Sequence, residues 1–186
     1  MNLIHSLIIF LILFFIPTGK AAETIFLYKG SFNRSIKIEE LYKFKKTKVA
    51  NTKLKNLIKI TNQKEKELHK ILSYKIEIPI TTSSKLMNST IGEVFLSRLT
   101  KIIHPHKIYN KEISTKAIRS GIILSSYKNN QKINLIDFFK AYPNKNIAIN
   151  LNALNKTLKK VDSLKDLIEF YSDSPFKKLK DGRSST

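Results

Sequence analysis

Cysteine is absent from this 186-residue chain, and glycine and proline occur only five times each. Without cysteine there is no disulfide framework, no thiolate nucleophile and no sulfur-ligated metal. The few glycines (Gly19, Gly30, Gly92, Gly121 and Gly182) are too scattered for a Gly-rich phosphate loop. Nor do they offer the Gly-x-Ser-x-Gly elbow that exposes the serine of an α/β hydrolase. The sequence reading therefore excludes a hydrolase active site here and expects a non-enzyme with no metal and no cofactor. Internal repeats and low-complexity blocks are also missing, and the length suits a single core without staples.

Acidic residues are scarce as well: 14 against 34 basic ones, for a net charge of +20. Only Arg34, Arg98, Arg119 and Arg183 are arginines, so nearly all the positive charge is lysine. Such a field attracts lipid head groups, acidic polysaccharide or an acidic partner, and less so at high salt. An excess of Lys, Ile and Asn is also what a compositionally biased genome writes on loosely selected surfaces, so both readings stay open.

One long apolar run is present, Leu7 to Ile16, too short to span a bilayer comfortably, which takes about 20 residues. Pro17 and Gly19 break it, and Gly19-Lys20-Ala21 supplies small residues where a signal peptidase cleaves. Residues 1–21 are thus expected to be a signal peptide, with export to periplasm, thylakoid lumen or exterior. An uncleaved membrane anchor is the alternative, because the segment before the run holds no Lys or Arg.

Thr24-Ile25-Phe26-Leu27-Tyr28, the Gly30-Ser31 turn and Arg34 to Ile38 read as a β-hairpin. The period then becomes helical. Leu41 and Phe44, then Leu54, Leu57 and Ile58, then Leu68, Ile71 and Leu72 behind Asn62-Gln63-Lys64-Glu65 predict three short helices. Thr90-Ile91-Gly92-Glu93 has capping-box form, and Ile91, Val94, Phe95, Leu99, Ile102 and Ile103 are expected to be one buried stripe, ended by Pro105. Ser114 to Tyr127 predicts a close-packed helix through Ala117, Ser120 and Gly121. Ile133 to Tyr142 predicts another, ended by Pro143, and Ile147-Ala148-Ile149 a short extended piece. Leu154, Leu158, Val161, Leu164, Ile168 and Tyr171 predict a final amphipathic helix. The expectation is a mainly α fold: a compact multi-helix domain with a short N-terminal β-hairpin over residues 22–171, and a disordered tail at 172–186.

Four stretches in this order resemble a known domain type. They are Ile25 to Tyr28 with Gly30 and Arg34-Ser35-Ile36; Ile91-Gly92-Glu93 with Leu96, Arg98-Leu99 and Ile102; Ala117-Ile118-Arg119 to Leu124; and Ile133 through Phe139 to Pro143 with Ile147 to Leu151. The chain resembles the helical domain of unknown function that precedes the catalytic domain in exported cyanobacterial α/β hydrolases. The resemblance implies a domain type and an exported setting, carries no catalytic or ligand residues to transfer, and places the hydrolase domain beyond this chain's end.

The remaining chemistry is sparse. His104 and His106 flank Pro105 and are expected in a structural loop, where His104→Ala would cost little. His69 is expected on a solvated helix face, and Glu39 and Glu40 point to different sides of a turn. Arg34 and Arg98 are expected to hold a carboxylate or carbonyl within the fold. Lysines and aromatics interleave from Tyr42 to Lys48, but export removes most nucleic-acid partners, and the run is expected to be a solvated helix end. The expected function is an accessory module docking on a separate α/β hydrolase. The alternative is a peripheral binder of anionic membrane or envelope polymer through Lys43, Lys45, Lys46 and Lys48, with Lys156, Lys159 and Lys160 as a second patch.

Overall fold

The alternation on either side of Gly30 builds a hairpin. In the computed structural model, which describes residues 21–61 and 63–158, β1 (Thr24–Lys29) pairs antiparallel with β2 (Phe32–Lys37), placing Ile25 opposite Ile36. Gly30 turns the chain at φ +57°, a left-handed conformation that glycine adopts at no steric cost. The expected leader, the second half of the last helix and the tail lie outside the described residues.

Helices follow at once. They are α1 (Ile38–Thr47), α2 (Thr52–Ile60), α3 (Glu65–Ser73), α4 (Ile80–Met87) and α5 (Thr90–Leu99), with a short strand β3 (Ile76–Glu77) between α3 and α4. After β4 (Ile103–Pro105) come the long α6 (Lys111–Lys128), β5 (Lys132–Ile133), α7 (Leu135–Ala141), β6 (Asn146–Asn150) and α8 (Leu151–Leu158).

The mainly α expectation is overturned by the sheet. Strand order is β2-β1-β6-β4, with β6 parallel to β1 and antiparallel to β4, and β3 and β5 form a second two-stranded sheet. The fold is α/β. Ile147-Ala148-Ile149 was legible only as an extended piece, because its partner strand lies at the other end of the domain.

Ile25, Ile36, Ile147 and Ile149 join Phe44, Leu57, Leu72, Leu96, Ile118 and Ile136 in one core. Helix α6 sits at its centre, against α4, α5, α7 and β4. The small residues expected to allow close packing do so at Gly121, where a Cβ would stand 3.0 Å from the Phe138 ring.

Three local expectations shift. Helix α5 is capped by Ser89, whose Oγ accepts from Gly92 N, and Ile91 and Val94 are about half exposed while Leu96 is fully buried. Helix α7 starts at Leu135 behind Asn134, whose Oδ1 accepts from Ile136 N and Asp137 N, so Ile133 belongs to β5. Helix α3 opens at Glu65, with the Glu67 carboxylate accepting from Lys64 N, rather than on the turn before.

Tyr142 is fully buried, packed edge-on to Phe138, and its hydroxyl has no hydrogen-bond partner among the described residues. Burial pushes its phenol far above the usual tyrosine range, so it stays neutral. A buried hydroxyl without a partner carries a desolvation penalty of about 1–3 kcal/mol. Tyr142→Phe should therefore leave stability unchanged or raise it by about 1 kcal/mol, read from the urea midpoint. A clear loss would show that the hydroxyl is bonded.

Candidate functional site

Alternation along the strands sends two sets of side chains to opposite faces of the sheet. Ile25, Leu27, Ile147 and Ile149 point to the core. The intervening residues share the other face. Phe26, Ala148 and His104 form one row across β1, β6 and β4, and Tyr28 and Asn150 form the next. His106, just past β4, stacks on Phe26 with ring centroids 3.9 Å apart.

His104 is buried, with both ring nitrogens engaged. Nδ1 lies 2.9 Å from the Pro105 carbonyl, which can only accept, so Nδ1 carries the proton. In that tautomer of the uncharged ring, Nε2 accepts from the Tyr28 hydroxyl at 2.8 Å. Burial raises the Tyr28 pKa above the tyrosine value against the lowering effect of its hydrogen bond with Asn150, and nearby Tyr109 raises it further. The phenol remains protonated. His106 is held below the usual imidazole range by burial first, then by Lys107 and His104. Tyr109, 75 % exposed, leans edge-on against His104. The outcome is an aromatic and imidazole surface, half buried at Phe26, Tyr28 and His106.

The expected structural loop at the His pair is in fact strand β4. A proline suits it because β4 is an edge strand, where a missing N–H breaks no ladder. The expectation that His104→Ala would cost little is also corrected, since removal strips Tyr28 of its acceptor and opens a buried space. Among the described residues, no group of three His, Cys, Asp or Glu side chains could hold a metal ion. This chemistry suits recognition: rings to pack against, and hydrogen bonds that fix their orientation. Sequence reasoning missed Phe26, Tyr28, Tyr109 and Asn150. The available signal was the pair of aromatics two apart on β1, necessarily on one face.

The lysines lie elsewhere. Lys43, Lys46 and Lys48 are exposed on and just after α1, and Lys45 is half buried. The ammonium groups of Lys46 and Lys140 stand 4.6 and 4.1 Å from the Tyr42 ring centroid, so the structure adds Lys140 of α7 to that group. Lys156 is exposed on α8, and Lys159 and Lys160 lie outside the described residues.

Other expectations move too. His69 is half buried, Nε2 bonding to the Lys45 carbonyl at 3.0 Å, with its ring edge-on to Phe44. Glu40 caps α1, accepting from Lys37 N at 3.0 Å, and takes Asn51 Nδ2 at 3.2 Å. Arg34 and Arg98 are exposed, Arg34 bonding the adjacent Asn33 carbonyl, and among the described arginines it is Arg119 that ties elements together, bonded to the Met87 carbonyl and paired with Glu93.

Residues 21–150 match the model of a family described as alpha/beta hydrolase of unknown function (DUF1400). No curated protein and no solved structure matches the chain.

Proposed function

The chain belongs to this family of alpha/beta hydrolases of unknown function, and we propose that it acts as an exported, non-catalytic accessory module that docks on an α/β-hydrolase catalytic domain through the half-open face of its sheet. The observation that carries this reading is the cluster of aromatic and imidazole rings at Phe26, Tyr28, His104, His106 and Tyr109. The sheet is mixed, with only the β1–β6 pairing parallel, so one open face is within its normal range. Here one face meets the helical core, and the other presents partly exposed aromatic rings of the kind enriched at protein interfaces. The family's hydrolase description and the lack of a nucleophile elbow in this chain both favour a partner that supplies the catalysis.

The test is titration calorimetry of the purified chain with the catalytic domain of a fuller family member. Tyr109→Ala should weaken binding about tenfold or more and leave the melting temperature unchanged. Lys43→Glu should leave binding unchanged. Absence of binding, or binding that every charge reversal weakens alike, would overturn the proposal.

The second reading rests on a different observation, the two ammonium groups at Tyr42. They suit a peripheral contact with an anionic surface through α1 and α7, which would appear as salt-sensitive binding to acidic lipid vesicles.

A further inference from the structure

We propose that the cavity between β2 and α2 is a binding site for a single oxyanionic group, phosphate or carboxylate. It is lined by Arg34 and Ser35 of β2 and by Lys53, Asn56, Leu57 and Ile60 of α2, and encloses about 110 Å³. That holds a few water molecules and falls well short of the roughly 300–1,000 Å³ of a drug-sized pocket.

The lining is chemically unspent. Arg34 donates one N–H to the Asn33 carbonyl at 2.9 Å, and its guanidinium lies over the Phe32 ring, which limits its orientation. Its other N–H groups have no partner among the described residues. The Lys53 ammonium stands 3.8 Å from Glu40, a long contact to a carboxylate already taken by Lys37 N and Asn51 Nδ2. The side chains of Ser35 and Asn56 make no hydrogen bond to any described residue. Two cations and two neutral hydrogen-bonding groups therefore converge on one space, with Leu57 and Ile60 as an apolar wall that reduces screening.

A second groove is closer to balance. Lined by Glu93, Lys111, Glu112, Thr115, Lys116 and Arg119, it pairs Lys116 with Glu112 at 2.6 Å and Arg119 with Glu93, which leaves Lys111. The β2–α2 cavity is lined by two cations and no carboxylate. Residue choice points the same way: in a chain that writes lysine almost everywhere, an arginine stands here, and its planar fork matches two oxygens of one anion as an ammonium cannot. This site is separate from the docking face, so the fate of that proposal leaves this one untouched.

The experiment is an NMR titration of the purified chain with inorganic phosphate and, in a second arm, with glucuronate. Saturable shifts should localise to the amides of residues 33–36 and 53–60 for at least one probe, and the tighter probe identifies the anion class. Arg34→Gln and Lys53→Gln should each raise Kd about tenfold, Arg34→Lys should recover only part of the loss, and Lys43→Gln should have no effect. All of these side chains are at least half exposed or on the surface, so the fold serves as its own control by melting temperature. Shifts spread over all lysine-bearing faces, an equal loss in Lys43→Gln, or no saturation with either probe would overturn the proposal.

Discussion

Gly92→Ala should destabilise the fold by at least about 3 kcal/mol. A Cβ at this position would stand 1.9 Å from the Leu86 carbonyl oxygen and 3.0 Å from Met87 Cα, both backbone atoms. The crowding is fixed by Ser89, whose hydroxyl donates to that carbonyl at 2.7 Å and accepts from Gly92 N at 3.1 Å. Relief would require α4 and α5 to separate, breaking this bridge and exposing Leu86 and Leu96. Gly121→Ala is the comparison, because there the obstacle is the Phe138 ring, a side chain that can shift. Its cost should be only about 1–2 kcal/mol. Thermal melts of both variants decide the matter, at about 2–4 °C per kcal/mol for a chain of this size. Equal small shifts would show that the α4–α5 corner is looser than its geometry indicates.

Leu96→Ala should cost about 2–5 kcal/mol, the range for truncating a fully buried leucine. Val94→Ala, two residues away and about half exposed, should stay within about 0.5 kcal/mol. Urea midpoints for the pair read out which face of α5 meets the core. If Val94→Ala proved the costlier change, the helix would have to be rotated about its axis.

That pair also shows where sequence reading ran out. Ile91, Val94, Phe95, Leu96 and Leu99 crowd α5 with apolar residues on several sides, so periodicity alone could not select the buried stripe. Ser89 and Thr90 are both good caps, and only the structure shows Ser89 Oγ accepting from Gly92 N. Where the pattern was unambiguous, reading succeeded: the hairpin around Gly30, and the long helix with Ala117 and Gly121 on its packed side. The parallel β1–β6 pairing left no local trace, since nothing near Ile147 specifies a partner at Ile25. The candidate site followed from that omission. Phe26, Tyr28 and His104 come together only once β6 lies between β1 and β4, so no reading of His104 within its own segment could reveal the Tyr28 hydroxyl at its Nε2. The cavity beside Arg34 was half legible. The scarcity of arginine marked the residue, but the expected partner was a carboxylate or carbonyl within the fold, and Arg34 reaches only the neighbouring Asn33 carbonyl while Arg119 ties distant elements.

The β1–β6 pairing also sets an order of events in time. Thr24 meets Asn146 across nearly the whole described chain, and closing a loop of that length costs about 4 kcal/mol in chain entropy before any contact repays it. The helices and the local hairpin need no such closure, so β6 is expected to be seated after them. Until then β1 offers a bare edge made of Thr24-Ile25-Phe26-Leu27-Tyr28, uncharged, β-branched and aromatic, the composition that self-associates into cross-β stacks. Glu23 and Lys29 bracket this segment as charged gatekeepers. In the interval before β6 arrives, that pair of charges is expected to oppose templating of one unfinished chain on another.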